Sequence, residues 1–399
     1  MMIKEIVRLR IDGRPQDDLV PDLVDVAVDE AVDQADVVRL RLAVTRRLDG
    51  AWTYLDDQRF ALWRRLTVEV GYAPDTEILF DGYLTHSSVY FTVDEDPYLE
   101  ISGMDATVLM NLQERQRPWP NRPDHEIARD VFTEHGLSSV VEDTLVQQTE
   151  QVAVTVQNET DIQFLRRLAH RNGFECRVRA GIGYFRSPDL GGAPQKLLSM
   201  GYGAEANLAS LTVSMDGTPA TEPRIRRVDP MSKREDAKTL ADLPERRLGA
   251  STLRELRTGL PGGGFLLTRR APSSPSEMDA WLRAAHQRAG RFVRVQGEID
   301  SRAYRASLRP GRPVVIKAVG ERHSGTYYVS RATHTFTVDG YRQTFEAYRN
   351  ALGVTGAEDF SPPAVLEPIA PGGGGASRRD GNRVLPARQV STVLPGGGR

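Results

Sequence analysis

Between residues 3 and 106 apolar side chains recur mostly at every second position, the period of a strand with one buried face. Val38, Leu40, Leu42 and Val44 share one such face. Segments 6–11, 38–44, 66–70, 79–91 and 98–102 read as strands, separated by turn residues at Asp12-Gly13, Asp49-Gly50, Pro74-Asp75 and 94–97. With little helix between them, these strands are expected to close on each other as an antiparallel barrel or sandwich. Asp81-Gly82 inside an apolar run reads as a bulge or bend at a barrel corner.

The period then changes. A short helix or turn covers 104–110, and Asp124 is expected to cap a helix in which Ile127, Ala128 and Val131 share a face. An apolar alternation at Val152, Val154 and Val156 leads into a polar turn, Gln157-Asn158-Glu159. Thr160 and Gln163 then stand at capping-box spacing ahead of Ile162, Leu165, Leu168 and Ala169, while Arg166, Arg167 and Arg171 point away from that stripe. Gly173 stops this helix, and the hairpin that follows carries Cys176, Val178, Ile182 and Tyr184. Alternation returns at Leu208, Leu211 and Val213, residues 229–252 are polar with doubtful order, and 260–264 read as a flexible break. Ser274, Pro275 and Glu277 start a further helix. Residues 291–350 form a second β unit whose Asp339-Gly340 pair marks a tight hairpin. The last fifty or so residues are rich in proline and glycine and are expected to be disordered or extended.

The expected fold is therefore α+β and mainly β, with two antiparallel β-barrel domains flanking an inserted α+β domain. The boundaries are 1–103, 104–195, 196–350 with the linker and helix, and 351–399 for the tail.

Composition sharpens this only in part. A chain of 399 residues with a formal charge of −2 gives no electrostatic reason to expect nucleic acid as a partner. Nor is any stretch long and apolar enough for a membrane anchor. The first residues lack the apolar core of a signal peptide, so assembly in the bacterial cytoplasm is expected. Cys176 is the sole cysteine, which excludes an internal disulfide and suits a buried structural thiol.

The run N-E-T-D-I-Q-F-L-R-R-L-A-H-R-N-G-F-E at 158–175, with L-R-P-G-R-P-V-V-I at 308–316 and D-G-Y-R-Q-T-F-E-A-Y-R at 339–349, resembles the late control protein D family. Those proteins are baseplate hubs of contractile tails, similar to the N-terminal hub of VgrG spikes. The resemblance implies a structural homotrimer that adapts a hexameric tail tube to a trimeric spike, within the baseplate of a phage tail or tail-like particle. No OB-sized or repetitive segment follows here, so the OB-fold and β-helix spike is expected to be a separate protein, with the tail threading toward it. The strands around Val38 to Val44 and Val314 to Ile316 are expected to be interface-forming barrel walls.

Candidate chemistry is thin. His125-Glu126 opens like a zinc-peptidase helix, but Arg129 stands where the second histidine belongs. Gly201-Tyr202-Gly203 and 262–264 lack the strand-to-helix setting of a phosphate loop. Asp56-Asp57 and 94–96 sit in turns, and His334 reads as a satisfied barrel histidine. Trp52, Phe60 and Trp63 read as core or interface anchors, and Trp52 with Trp119 cannot alone identify a sugar platform. No catalytic, cofactor or metal residue is expected, and the chain is read as no enzyme. The alternative is a tail-associated peptidoglycan-degrading enzyme, which would need an additional catalytic domain.

Overall fold

A computed structural model describes residues 5–361 apart from 73–74, 95, 147, 149–153, 202–204, 230, 242, 244, 261–262 and 268–271. Residues 362–399 of the expected tail, Val152 of the alternation and Pro261-Gly262 of the break lie outside the described residues; at the start of that tail Ala351 and Leu352 are buried and pair with Thr252 and Ser251. The first half of the fold holds six main strands: β1 (Glu5–Ile11), β2 (Leu23–Ala31), β3 (Val37–Ala43), β4 (Arg65–Tyr72), β5 (Asp75–Tyr90) and β6 (Tyr98–Asp105). Their order in the sheet is β1-β4-β5-β6-β3-β2, antiparallel throughout. Val38, Leu40 and Leu42 of β3 are buried, as their alternation requires, with Leu66, Val68 and Val70 of β4 in the same core. Strand β2 is one that periodicity does not single out, because Asp25, Asp29 and Glu30 interrupt its apolar pattern. Register shifts lie at Leu79 and Thr85, on either side of Asp81-Gly82 and not at it. Gly82 has a different role: a Cβ there would lie 2.2 Å from the carbonyl oxygen of Met104, so the two backbones approach more closely than any side chain allows.

The inserted region contains β7 (Glu114–Trp119), α1 (Asp124–Glu134), β8 (Ser138–Val141), β9 (Thr155–Thr160), α2 (Asp161–Asn172), β10 (Glu175–Arg179) and β11 (Ile182–Arg186). Gln157, Asn158 and Glu159 belong to β9, paired with β7, and so form no turn. Thr155 and Gln157 face inward there while Val156 is exposed, the reverse of the apolar alternation. Helix α2 starts as its spacing predicts, with Thr160 Oγ1 accepting from the Gln163 amide, and ends at Gly173 with φ 73°. Helix α1 is capped by Pro123 without a side-chain bond. Asp124 is its first residue and is wholly buried, for a reason that lies in α2.

The second half holds β12 (Gln195–Ser199), β13 (Leu208–Met215), β14 (Glu222–Val228), β15 (Glu235–Thr239), β16 (Gly264–Leu266), α3 (Pro275–Gly290), β17 (Val293–Ile299), β18 (Pro313–Lys317), β19 (Gly325–Thr337) and β20 (Gly340–Arg349). Strand β15 gives order to part of the polar 229–252 stretch by pairing with β14, which also takes β16. Ser274 caps α3 by accepting from the Glu277 amide at 3.2 Å. Six of these strands run in the order β12-β18-β19-β20-β17-β13. The mainly β, α+β class is thus the observed one, with two β units around an inserted α+β region.

The two units share one connectivity. Strands β1 to β6 correspond in turn to β12, β13, β17, β18, β19 and β20, and each set has the same neighbours. The agreement extends to irregularities. Register shifts occur between Leu23 and Asp25 of β2 and between Leu208 and Ser210 of β13; the long strands shift between Leu84 and His86 and between Val329 and Arg331. Counted from those shifts, the rungs Val28–Val38, Val38–Gly103 and Gly103–Leu84 match Val213–Val295, Val295–Ala347 and Ala347–Val329. One difference stands out: β1 lies antiparallel on β4, whereas β12 lies parallel on β18.

Candidate assembly interface

The halves meet edge to edge. Beyond its register shift β19 leaves β18 and pairs with β2 from Arg331–Ala31 to Thr337–Asp25, so both units belong to one thirteen-stranded sheet. Charged groups hold this ladder. Arg331 Nε donates to Asp29 Oδ1 at 2.8 Å, and Thr333 Oγ1 donates to the same oxygen at 3.0 Å. Glu30, wholly buried, faces Arg309 at 3.2 Å, Arg179 at 3.9 Å and His334 Nε2 at 3.3 Å, while His334 Nδ1 lies 2.6 Å from the Tyr341 hydroxyl. One acidic side chain of the first unit therefore gathers cations from the second unit and from the insertion. Such a carboxylate would be costly to bury without them. Phe336 and Tyr341 stack at 4.1 Å and lie in the core of the first unit, so the junction is packed as well as paired.

The corresponding edges elsewhere carry no ladder partner among the described residues: the outer side of β13, and β5 beyond His86. Side chains that are covered at the junction are open at these positions. Val89, Tyr90 and Phe91 are 40%, 40% and 55% exposed, against 0% for His334 and 7% for Phe336 at the positions equivalent to Val89 and Phe91. Met215 is 42% exposed where its counterpart Glu30 is 1%. Both hairpins end in the same tetrapeptide, Phe91-Thr92-Val93-Asp94 and Phe336-Thr337-Val338-Asp339, at equivalent places. That identity is a repeat signal present in the sequence and absent from its periodicity.

The walls expected to form interfaces are placed inside the sheet. Strand β3, with Val38 to Val44, lies between β2 and β6, and β18, with Val314 to Ile316, lies between β12 and β19; their apolar side chains are buried and neither strand has a free edge. The remaining singled-out residues are scattered through the fold. His125 Nδ1 accepts from the Thr144 amide at 3.1 Å. Asp57 accepts from the Arg59 amide at 2.9 Å, while Asp56, Asp94 and Asp96 are exposed. Tyr202, Gly203 and Gly262 lie outside the described residues. Trp119 is buried beneath the guanidinium of Arg117 at 3.8 Å, and Trp52 packs edge-on to Phe91 at 5.1 Å. Phe60 is in the core; Trp63 is exposed. Cys176 is buried, which pushes its thiol up to about 12. Among the described residues no three histidine, cysteine or carboxylate groups converge as a metal site.

The fold is thus a six-stranded sheet unit built twice, with edges that carry no ladder partner among the described residues. The chain belongs to the family described as the Alg8 N-terminal domain, whose model matches residues 5–337. That name differs from the late control protein D family which the motifs resemble. No curated protein matches the chain. Among solved structures it is similar to the 43 kDa tail protein of prophage MuSo2 from Shewanella oneidensis, at 13% identity and a TM-score of 0.61 over 88% of this chain and 100% of that one. It is similar also to a tail protein of Neisseria meningitidis MC58, at 11% identity and a TM-score of 0.59 over 87% and 97%. A third is the E. coli c3393 protein, a type VI secretion component described as structurally similar to T4 tail proteins gp27 and gp5, at 12% identity and a TM-score of 0.53 over 87% and 76%. At such identities the shared property is the fold.

Proposed function

We propose that this chain is a structural baseplate hub of a contractile tail or injection system, and that three copies form a ring adapting a hexameric tail tube to a trimeric spike. The observation that carries the reading is the single six-stranded connectivity built twice in one chain. A ring of three such chains offers six like surfaces, so it can mate with a six-fold ring on one side and a three-fold spike on the other. The similarity of fold to tail proteins and to a secretion component supports the same reading.

On this reading the partners are a tail tube protein, a separate spike of OB-fold and β-helix type, and other baseplate components. The chain is assembled in the bacterial cytoplasm and resides in the baseplate of a phage tail or tail-like particle. Kinship with late control protein D and the division at 103, 195 and 350 belong to it too, with the insertion acting as a spacer and the tail reaching toward the spike. The role is mechanical and non-enzymatic. Native mass spectrometry of the chain with its tube protein is expected to show trimers, and complexes carrying six tube subunits per three hubs. A monomer at high concentration and in the presence of tube protein would overturn the reading.

A further inference from the structure

We infer that β13 of one copy pairs with the free half of β5 in the next copy, in the register that β2 and β19 already use within the chain. This deepens the hub reading and rests on it, by naming the strands through which copies join.

The register follows from the matched rungs. Because β19 pairs Arg331 with Ala31, Thr333 with Asp29 and Phe336 with Val26, the equivalent positions place His86 opposite Asp216, Ser88 opposite Ser214, Val89 opposite Val213 and Phe91 opposite Leu211. Among the described residues no rung joins β5 to β13 within one chain, so the partner for this pairing is a second copy. The contact is head to tail: one copy gives its second unit and the next receives on its first. An antiparallel strand added here satisfies the open backbone groups of both edges and covers Val89, Phe91 and Met215, as β2 covers His334 and Phe336.

The two ladders differ in chemistry, and this difference directs each strand to its own partner. Inside the chain the ladder carries Asp29, Glu30, Arg331 and His334. Between copies Ser214 replaces Asp29, Met215 replaces Glu30, His86 replaces Arg331 and Val89 replaces His334. Were β13 to take the place of β2, Ser214 would leave the Arg331 guanidinium without its carboxylate. Were β2 to dock on β5, Glu30 would be buried opposite Ser87, away from Arg309. The charged ladder thus belongs within a chain and the apolar one between chains.

The test is disulfide trapping in the full-length protein, with Cys176 buried and inert. A chain carrying Val89→Cys and Val213→Cys is expected, on mild oxidation, to shift from the monomer band to dimers and higher linked species. Equal parts of the two single variants should give dimers only. Val89→Cys with Ser214→Cys, one residue out of register and on opposite faces, should stay monomeric on the gel. Val89 is exposed and Val213 is half-buried against the core of the second unit, so an unchanged thermal midpoint verifies folding. An absent Val89–Val213 bond, or equal trapping by the out-of-register pair, overturns the ladder. If native mass still shows an oligomer, the ladder alone falls; a monomer under every condition removes the hub reading as well.

Discussion

Arg171 near the end of α2 binds Asp124 in the first turn of α1, with Nε donating at 2.6 Å and both side chains buried. Asn172 Nδ2 donates to the same carboxylate at 2.6 Å, and Glu277 of α3 lies 3.4 Å from the guanidinium. Removing one partner strands a charge away from water. Asp124→Ala is therefore expected to cost about 3–5 kcal/mol. Replacing the pair together by Leu and Met should cost less than that single change. Urea midpoints of the parent and the two variants check both statements.

Burial, with the charges of Glu30 and Asp105 behind it, pushes the Asp36 carboxyl well above the usual carboxylate range; burial raises Asp105 and Glu175 too. The folded chain then holds protons that the unfolded chain has released. These groups accordingly make stability fall as pH rises from the unfolded carboxylate value of about 4 through the folded values. Asp36→Asn removes one of them. The variant should lose less stability than the parent as pH rises above the unfolded carboxylate value of about 4, and the two should converge toward acid. Carboxyls held low, such as Glu134 and Asp161, act in the opposite sense, below that window.

Cys176 is 2% exposed and its thiol is pushed up to about 12 by burial. A thiol-specific colorimetric reagent should find no reactive cysteine in the native protein at about pH 8, where a free thiol is largely reactive. In denaturant it should find one per chain. Fast labelling under native conditions would mean that β10 opens readily.

Gly82→Ala sets a Cβ against the Met104 carbonyl and, at 2.6 Å, the Phe80 ring. Overpacking of this kind costs about 1–3 kcal/mol. Gly217, with nothing within 4 Å, is the control, and its alanine variant should melt within a degree or two of the parent.

Much of the fold was legible because it is written locally. The buried face of β3 is a plain alternation, and α2 carries its start and stop signals within a few residues of its ends. What escaped depends on partners far away in the chain. Strand β2 reads as polar until Arg309 and Arg331 supply the missing cations, and Arg171 reads as a solvated arginine until Asp124 of another helix meets it. Gln157 looks like a turn residue because its buried amide donates to Asp161 Oδ1 at 2.7 Å, a bond no spacing rule anticipates. The free edges escaped for a similar reason. Apolar alternation marks strands in the middle of a sheet, whereas edges are identified by what fails to pair.

The same ladder bears on how the chain is made. Asp29 leaves the ribosome 302 residues ahead of Arg331. At about 5–20 residues per second β2 waits roughly fifteen seconds to a minute for the strand that covers it. During that wait its open edge is a template for any other nascent chain. The acids along it, Asp25, Asp29 and Glu30, repel a second copy of themselves, since like charges opposed across two strands are unfavourable. Side chains that anchor the finished molecule therefore act first as guards, keeping neighbouring polypeptides on a polysome apart until synthesis is complete.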